Sequence, residues 1–214
     1  MGKIVKGVLG GFMGKVGSVI GSRWKGTYFM RSLPEIIKRK NISLKCLQQR
    51  ARFKKTADFI SDARRLVRIG FRPESQRLTT FNAAYDDNEE HFRYVNDHVE
   101  VDFPSLKLTS GRLGQMDNIS LTLGDDGLLQ IDWSTVDIKE IEGEKCKVNL
   151  LICRDDMEYM KCYVGVADVA DLGVELMITD SMEGHKLHLY AFYSTSKGLC
   201  QDHVSKTAYA TITA

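Results

Sequence analysis

The hydrophobic positions of the chain follow two different periods, and the period changes near residue 119. Between residues 44 and 69, apolar residues recur at steps of three and four, which is typical of one face of an α-helix. From Ile119 onward, apolar residues such as Leu121 and Leu123 alternate with polar ones, which is typical of β-strands. The sequence therefore predicts a helix ending near Gly70, followed by a β-rich C-terminal half.

Seven segments of the second half have strand character. They are residues 119–123, 129–133, 145–153, 159–166, 172–179, 187–193 and 207–213. Seven short strands with regular turns predict a two-sheet sandwich of the immunoglobulin or fibronectin type III kind, so the fold class of the chain is α+β. Trp133 is expected in the sandwich core, and Tyr190 or Tyr193 is expected in the corner role that a tyrosine often has there.

The N-terminal segment is rich in glycine, and its glycines are spaced three and four residues apart. This spacing is helical, but each glycine destabilises a helix by roughly 1 kcal/mol relative to alanine, so such a helix requires a packing partner. Glycine equally permits an irregular arm laid against a partner. Both alternatives predict an assembly contact. The residues expected in it are Gly7, Gly10, Gly14, Gly17, Gly21 and Trp24.

These patterns predict a division of the chain into three parts. Residues 1–33 are a glycine-rich basic arm, residues 34–111 a helical and extended connecting region, and residues 112–214 the β-sandwich domain. Only three prolines are present, which argues against a chain dominated by linkers.

The charge of the chain is strongly divided although the net charge is only +2. Residues 1–79 contain 19 Lys and Arg against 4 Asp and Glu, and residues 80–214 contain 11 against 24. This division predicts that the basic half meets nucleic acid, a lipid surface or the acidic half of another copy. The candidate phosphate contacts on the predicted helix are Arg50, Arg52, Lys54, Arg64, Arg65 and Arg68, with Trp24 or Tyr28 to stack on a base. The alternative, which we favour, is that these aromatic residues anchor the arm onto the body of the protein.

The opening GKIVKGVLGGFMGKVGSVIGSRWKGTYFMRSLP resembles that of an uncharacterised bacterial family, a domain of unknown function. The likeness continues through LKCLQQRARFKKTADFI, FNAA, DFPSLKLTSGRL and LLQIDWS, so it covers nearly the whole chain. The glycine that is typical of the family near residues 94–99 is not evident here. The family has no established activity, so the resemblance assigns no functional residue.

Several chemical motifs are approached but not completed. GGFMGKVG lacks the first glycine and the final hydroxyl residue of a phosphate-binding loop, because Leu9 and Val16 occupy those positions. His185 and His188 are three apart, which on a strand places them on opposite faces, and both are expected at the surface. The paired carboxylates Asp125-Asp126 and Asp155-Asp156 fall in predicted turns. We therefore expect no catalytic residue, cofactor or metal site, and a protein that is not an enzyme.

The N-terminus also lacks the features of a targeting segment. Lys15 interrupts its apolar run, no signal-peptide cleavage site follows, and no stretch is apolar enough to span a bilayer. We expect a cytoplasmic protein or a component of an assembled particle. The leading hypothesis is a structural or interaction protein that assembles head-to-tail with itself, or joins a larger complex, through its N-terminal arm. The alternative is a nucleic-acid-binding protein that uses the basic half.

Overall fold

The structure is a computed structural model of the chain. It describes residues 3–4, 10–35, 42–71, 78–124, 127–134, 146–178, 184–195 and 204–213. The chain divides into two compact units, Met1–Ser43 and Leu44–Ala214. This division differs from the three parts expected from the sequence, because the helices belong to the same unit as the sandwich.

The first unit is an antiparallel sheet with the strand order β1-β2-β3-β4. Its strands in the described residues are β1 Lys3–Ile4, β2 Phe12–Val16, β3 Val19–Trp24 and β4 Thr27–Ser32. The helical interpretation of the glycine spacing is therefore wrong, and the segment is not an irregular arm either. Two glycines lie in tight turns: Gly17, with φ +58°, follows β2, and Lys25 and Gly26, both with positive φ, join β3 to β4. Two-residue turns of this kind are the preferred hairpin connections.

The second unit begins with helices. The described ones are α1 Leu44–Asp62, α2 Arg64–Gly70 and α3 Thr80–Asn88. The helix predicted over residues 44–69 is observed, with an interruption at Ala63. The end of α2 at Gly70 agrees with the predicted helix end. A Cβ atom at Gly70 would overlap the carbonyl oxygen of Leu108 and lie 2.8 Å from Cγ2 of Thr109, so glycine permits a close approach of two backbones there.

A short hairpin follows α3 and a single 3₁₀ turn. Its strands are β5 Phe92–Val95 and β6 His98–Val101, which pair antiparallel. The turn between them is formed by Asn96 and Asp97, with φ angles of +46° and +64°. Asn and Asp tolerate this left-handed conformation better than other residues that carry a side chain. They therefore form the turn in the segment where the resembling family typically has a glycine.

The rest of the second unit is a sandwich of two antiparallel sheets. Its described strands are β7 Asp117–Leu123, β8 Leu128–Ser134, β9 Cys146–Arg154, β10 Met160–Asp168, β11 Gly173–Met177, β12 Lys186–Thr195 and β13 Ala208–Thr213. One sheet has the order β10-β9-β12-β13 and the other β11-β8-β7. The predicted sandwich is confirmed, with the two-sheet architecture of the immunoglobulin and fibronectin type III class.

The larger sheet of the sandwich is covered on both faces. One face packs against the smaller sheet around Ile131, Trp133, Leu150 and Leu189. The other face packs against the helices, and its core includes Phe59, Leu66, Leu151, Tyr190 and Phe192. A fibronectin-like sandwich with a helical layer added to one sheet therefore has two cores that share strands β9 and β12.

Two aromatic residues expected in the sandwich, Trp133 and Tyr190, belong to different cores. Trp133 is in the sandwich core as expected, 4% exposed, and its Nε1 donates to the carbonyl oxygen of Val169 at 3.0 Å. Tyr190 instead faces the helical layer, and its hydroxyl donates to the carbonyl oxygen of Phe103 at 2.8 Å. This bond ties together parts of the chain 87 residues apart, so Tyr190 does not have the corner role.

Candidate functional site

The first candidate surface is the N-terminal sheet, whose last strand, β4, pairs with β3 on one edge and with no described strand on the other. All six residues of β4 are exposed. Because side chains alternate along a strand, Tyr28 and Met30 lie on one face of the sheet and Phe29 lies on the other. Trp24 pairs with Thr27 and so shares the face of Phe29. The exposed fractions are 37% for Tyr28, 45% for Phe29, 46% for Trp24 and 70% for Met30.

Basic side chains accompany two of these aromatic rings. The guanidinium carbon of Arg23 lies 5.2 Å from the ring centroid of Tyr28, and Nζ of Lys25 lies 5.0 Å from that of Trp24. Exposed cation–π contacts of this kind contribute about 0.5–1 kcal/mol each. The surface therefore combines apolar area with positive charge, and Trp24, which is expected in the assembly contact, is exposed on it.

The glycines expected to contact a partner do not lie on one line. Gly14 and Gly21 pair across β2 and β3, and Gly17 lies in the turn between those strands. A Cβ atom at Gly21 would overlap the carbonyl oxygen of Phe12 and lie 2.6 Å from its ring. Gly10 precedes β2, and Gly7 lies outside the described residues. The described glycines therefore do not follow one helical line: Gly14 and Gly21 lie within strands and Gly17 lies in a turn, so the assembly contact expected of them stays a prediction.

The second candidate surface is basic and lies on α1 and α2. Ala63 links the two helices, since Ala63 N donates to Phe59 O and Val67 N donates to Ala63 O, each at 3.0 Å. Five of the six predicted phosphate contacts are exposed and define a basic face, while Phe59, Leu66 and Val67 of the same helices are buried. These exposed residues are Arg50, Lys54, Arg64, Arg65 and Arg68.

Arg52 does not belong to this basic face. It is half-buried, and its Nη2 donates to the carbonyl oxygen of Glu89 at 2.9 Å. A guanidinium used in this way holds α1 against the end of α3. The prediction that Arg52 contacts phosphate is therefore wrong, because the side chain already has a structural partner.

A cleft of about 310 Å³ opens beside the basic face, between the end of α1, α2 and the start of α3. Arg64 and Arg68 line it together with Val67, Thr80 and Phe81. One turn separates Arg64 from Arg68, so both guanidinium groups reach the same cleft. The sequence indicated the arginines as a basic helix, but it gave no sign of the cleft because Phe81 comes from a separate helix.

A larger cavity of about 610 Å³ lies elsewhere in the second unit. Its lining includes Asp87, His91, Lys107 and Lys206. The Nε2 atom of His91 is buried, makes no hydrogen bond in the described residues and lies 3.6 Å from Oε1 of Glu90. Sequence reasoning missed this cavity because its lining comes from three segments that are far apart in the chain and share no motif.

Among the described residues, one group of side chains has the spacing of metal ligands. Ligand atoms of Asp155, Asp156 and His185 lie within 4.8 Å of one another. However, the guanidinium of Arg154 forms an ion pair with Asp156, and its Nε donates to Oδ1 at 3.0 Å. This hydrogen bond lowers the pKa of Asp156. A divalent cation would have to displace Arg154, so the arrangement suits a stabilised turn better than a metal site.

The side chains of Cys153, Cys162 and His188 are held in their neutral forms, Cys162 by partial burial and the other two by full burial. Burial raises the pKa of Cys153 to about 12 and that of Cys162 to about 11, so neither thiol is a nucleophile at neutral pH. His188 is 4% exposed and faces the helical layer, whereas the sequence placed it at the surface. That expectation is wrong because β12 is covered on both faces.

A family model matches residues 11–198, and its description is "Family of unknown function (DUF6266)". The chain belongs to this family. The match confirms the resemblance to a domain of unknown function and covers β2 to β4 of the N-terminal sheet and most of the sandwich. A search of curated proteins gives no match.

Solved structures similar to this chain are fibronectin type III domains. One is the fn3 domain of the human collagen alpha-1(XX) chain, with 19% identity and a TM-score of 0.36 over 50% of this chain and 88% of that one. Another is the third fibronectin III domain of the human KIAA0343 protein, with 11% identity and a TM-score of 0.37 over 50% of this chain and 92% of that one. Among the helices of the described residues, none has the length and apolar character needed to cross a bilayer.

Proposed function

We propose that this protein is a non-enzymatic interaction protein that associates with copies of itself through its N-terminal sheet. The supporting observation is β4, an edge strand on which all six residues are exposed and large apolar side chains lie on both faces. Contiguous exposed apolar side chains often mark a protein interaction surface. Long edge strands also pair readily with other strands. A second copy paired along β4 occupies the free edge and brings exposed side chains of the two copies into contact.

Sedimentation velocity or size-exclusion chromatography with light scattering tests this proposal over a range of protein concentrations. The double substitution Phe29→Thr with Met30→Thr retains β-forming residues but removes the apolar side chains from both faces. We expect it to shift the protein towards the monomer. Met177→Thr is the matched control, since Met177 is 57% exposed on β11. Monomeric wild-type protein at every concentration and salt level would rule out self-association.

The second candidate function is binding to nucleic acid, and the five-residue basic face on α1 and α2 supports it. Binding through about five phosphates predicts that the logarithm of the affinity falls with the logarithm of salt concentration, with a slope of roughly −3.5 to −4.5. Fluorescence anisotropy with single- and double-stranded oligonucleotides measures that slope. Arg64→Gln with Arg68→Gln should reduce it by about 1.4 to 1.8.

The control for this measurement is Arg93→Gln, because Arg93 is an exposed arginine on β5, outside the basic face. It should leave the salt slope unchanged. Binding that is absent at low salt, or equally weakened by the control, would exclude the basic face as a nucleic-acid surface. Neither result would affect the proposal of self-association.

A further inference from the structure

We propose that two copies of the chain pair antiparallel along their β4 strands, around a two-fold axis at Met30. This inference rests on the proposed self-association and specifies its geometry. It replaces the head-to-tail contact between basic and acidic halves that the charge division suggested. The inference is based on the direction of the backbone groups of β4 and on which residues each register places opposite one another.

The outward-facing backbone groups of β4 can be identified from its pairing with β3. Leu33 N donates to Ser18 O at 2.7 Å, so these residues form a hydrogen-bonded pair. Hydrogen-bonded and non-hydrogen-bonded pairs alternate along an antiparallel ladder. The N–H and C=O groups of Thr27, Phe29 and Arg31 therefore point towards β3. Those of Tyr28, Met30 and Ser32 point towards the free edge of the sheet.

The register of a two-fold pair is limited by these outward-facing groups. With Met30 opposite Met30 of the other copy, Tyr28 lies opposite Ser32, and all the outward-facing residues form hydrogen-bonded pairs. Moving the register so that Tyr28 lies opposite Met30 leaves Ser32 beyond the partner's strand. Moving it in the other direction places Arg31 opposite Arg31, and like charges directly opposite each other are unfavourable. Of these three registers, the one centred on Met30 forms the most hydrogen bonds and places no like charges opposite each other.

The side chains also fit this register. A two-fold axis perpendicular to the sheet keeps each face continuous, so Phe29 of one copy lies opposite Arg31 of the other on the same face. This places a guanidinium beside an aromatic ring twice across the interface, a contact that is favourable even when exposed. The other edge of the sheet, β1, is described only at Lys3–Ile4 and offers a shorter template than β4.

The charge of the paired surfaces predicts how salt affects the association. Within residues 10–35, Lys15, Arg23, Lys25 and Arg31 outnumber Glu35, so two such sheets repel one another. Salt screens this repulsion, and the two-fold dimer should become tighter as ionic strength rises. A contact between a basic surface and an acidic one should become weaker instead. The sign of the salt effect therefore distinguishes the two geometries.

Proline at position 30 tests the backbone pairing in the full-length chain. Proline is tolerated on an edge strand where the missing N–H faces outward, so Met30→Pro should keep the β3–β4 ladder. It removes both hydrogen bonds at the two-fold pair, and we expect dimerisation about tenfold weaker or worse, measured by sedimentation equilibrium. Met30→Thr is the matched control, because it removes the same side chain but retains the N–H. It should dimerise more tightly than Met30→Pro.

Disulfide formation provides a second measurement that does not depend on proline being tolerated. The two Met30 residues lie about 5.5 Å apart between Cα atoms in the proposed register, which suits a disulfide. Met30→Cys should give a covalent dimer under mild oxidation. In Ser32→Cys the new cysteine lies opposite Tyr28, so this variant should form no more covalent dimer than the unmodified chain.

The outcomes separate the inference from the proposed function. A monomeric wild-type chain overturns both. A dimer that is weakened by neither Met30→Pro nor Met30→Thr overturns the β4 pairing alone. Equal cross-linking of both cysteine variants and weakening of the dimer by salt have the same meaning. So does assembly that grows beyond a dimer as protein concentration rises.

Discussion

The imidazole of His188 stacks on the ring of Phe103, with ring centroids 3.9 Å apart and an angle of 4° between the planes. His188 belongs to β12, and Phe103 begins a 3₁₀ turn that follows β6. The Nδ1 atom of His188 lies 2.7 Å from the hydroxyl oxygen of Tyr209 on the neighbouring β13. This stack fixes the turn to the face of the larger sheet that the helices also cover.

The stack predicts a loss of stability in mild acid. Burial, with a smaller effect of Lys186, lowers the pKa of His188 from 6.5 to about 4. Between these values the unfolded chain binds more protons than the folded chain, so the free energy of unfolding falls as pH decreases through this window. The contribution of His188 is complete above about pH 6.5 and has fallen by up to about 3 kcal/mol at pH 4. Urea unfolding at several pH values measures this decrease.

Two variants identify the histidine responsible for this dependence. His188→Phe retains an aromatic ring against Phe103 but cannot titrate, so its unfolding free energy should depend less on pH between 4 and 6.5. His98→Gln, at an exposed position on β6, should retain the wild-type dependence. An unchanged slope in His188→Phe would show that other groups cause the effect.

The hydroxyl of Tyr190 should contribute measurably to the free energy of unfolding. Tyr190 is fully buried, and it donates to the carbonyl oxygen of Phe103, which also accepts a bond from Leu106 N at 3.3 Å. Because the carbonyl retains that second bond, Tyr190→Phe should reduce the free energy of unfolding by only about 0.5–1.5 kcal/mol. Tyr94→Phe, on β5, is the control and should stay within about 0.5 kcal/mol of wild type. Chemical denaturation measures both.

Leu150 and Leu151, which are adjacent on β9, should contribute similarly to stability although their side chains lie on opposite faces of the sheet. Leu150 belongs to the sandwich core and Leu151 to the core beneath the helices, and both are fully buried. Leu150→Ala and Leu151→Ala should each reduce the free energy of unfolding by about 2–5 kcal/mol. Leu172→Ala is the control, since Leu172 is 45% exposed. A small effect at Leu151 would mean that the helical layer does not cover the sheet in solution.

Alanine at position 21 should loosen the N-terminal sheet without affecting the second unit. The added Cβ would overlap the backbone of Phe12, so β2 and β3 must separate. We expect faster amide exchange across residues 12–32 in hydrogen–deuterium exchange, with unchanged exchange in β9 and β12. Ser22→Ala, at the next position of β3, should have a much smaller effect. Unchanged exchange in Gly21→Ala would contradict the observed close approach.

The sandwich could be predicted from the sequence, whereas the N-terminal sheet could not. Strands β7 and β8 have one face towards the core, so alternation of apolar and polar residues identified them. The N-terminal strands expose apolar residues on both faces, which leaves no such alternation, and the glycine spacing matched a helix by coincidence. The Lys25-Gly26 and Gly17-Ser18 turns were the usable signal, because two-residue turns of this type indicate hairpins.

The basic face could be predicted in part for a similar reason. Helical spacing identified Arg50, Lys54, Arg64, Arg65 and Arg68 as solvent-facing. The exception is Arg52, which helical spacing did not separate from the other basic residues. Its hydrogen-bond acceptor is a backbone carbonyl 37 residues away. Side-chain contacts with distant backbone atoms leave no pattern in the sequence.

Both faces of β9 are covered, so its hydrophobic pattern does not define how this strand is aligned with its neighbours. A slip of one residue would exchange Leu150 with Leu151 and move an equally apolar side chain into each core, so polarity alone does not oppose the slip. Asn149 does oppose it. This buried amide donates to Ser194 Oγ on β12 and accepts from Gly165 N on β10, each at 3.1 Å. A slipped strand would leave Asn149 without either partner, so this buried polar side chain favours the observed alignment of three strands.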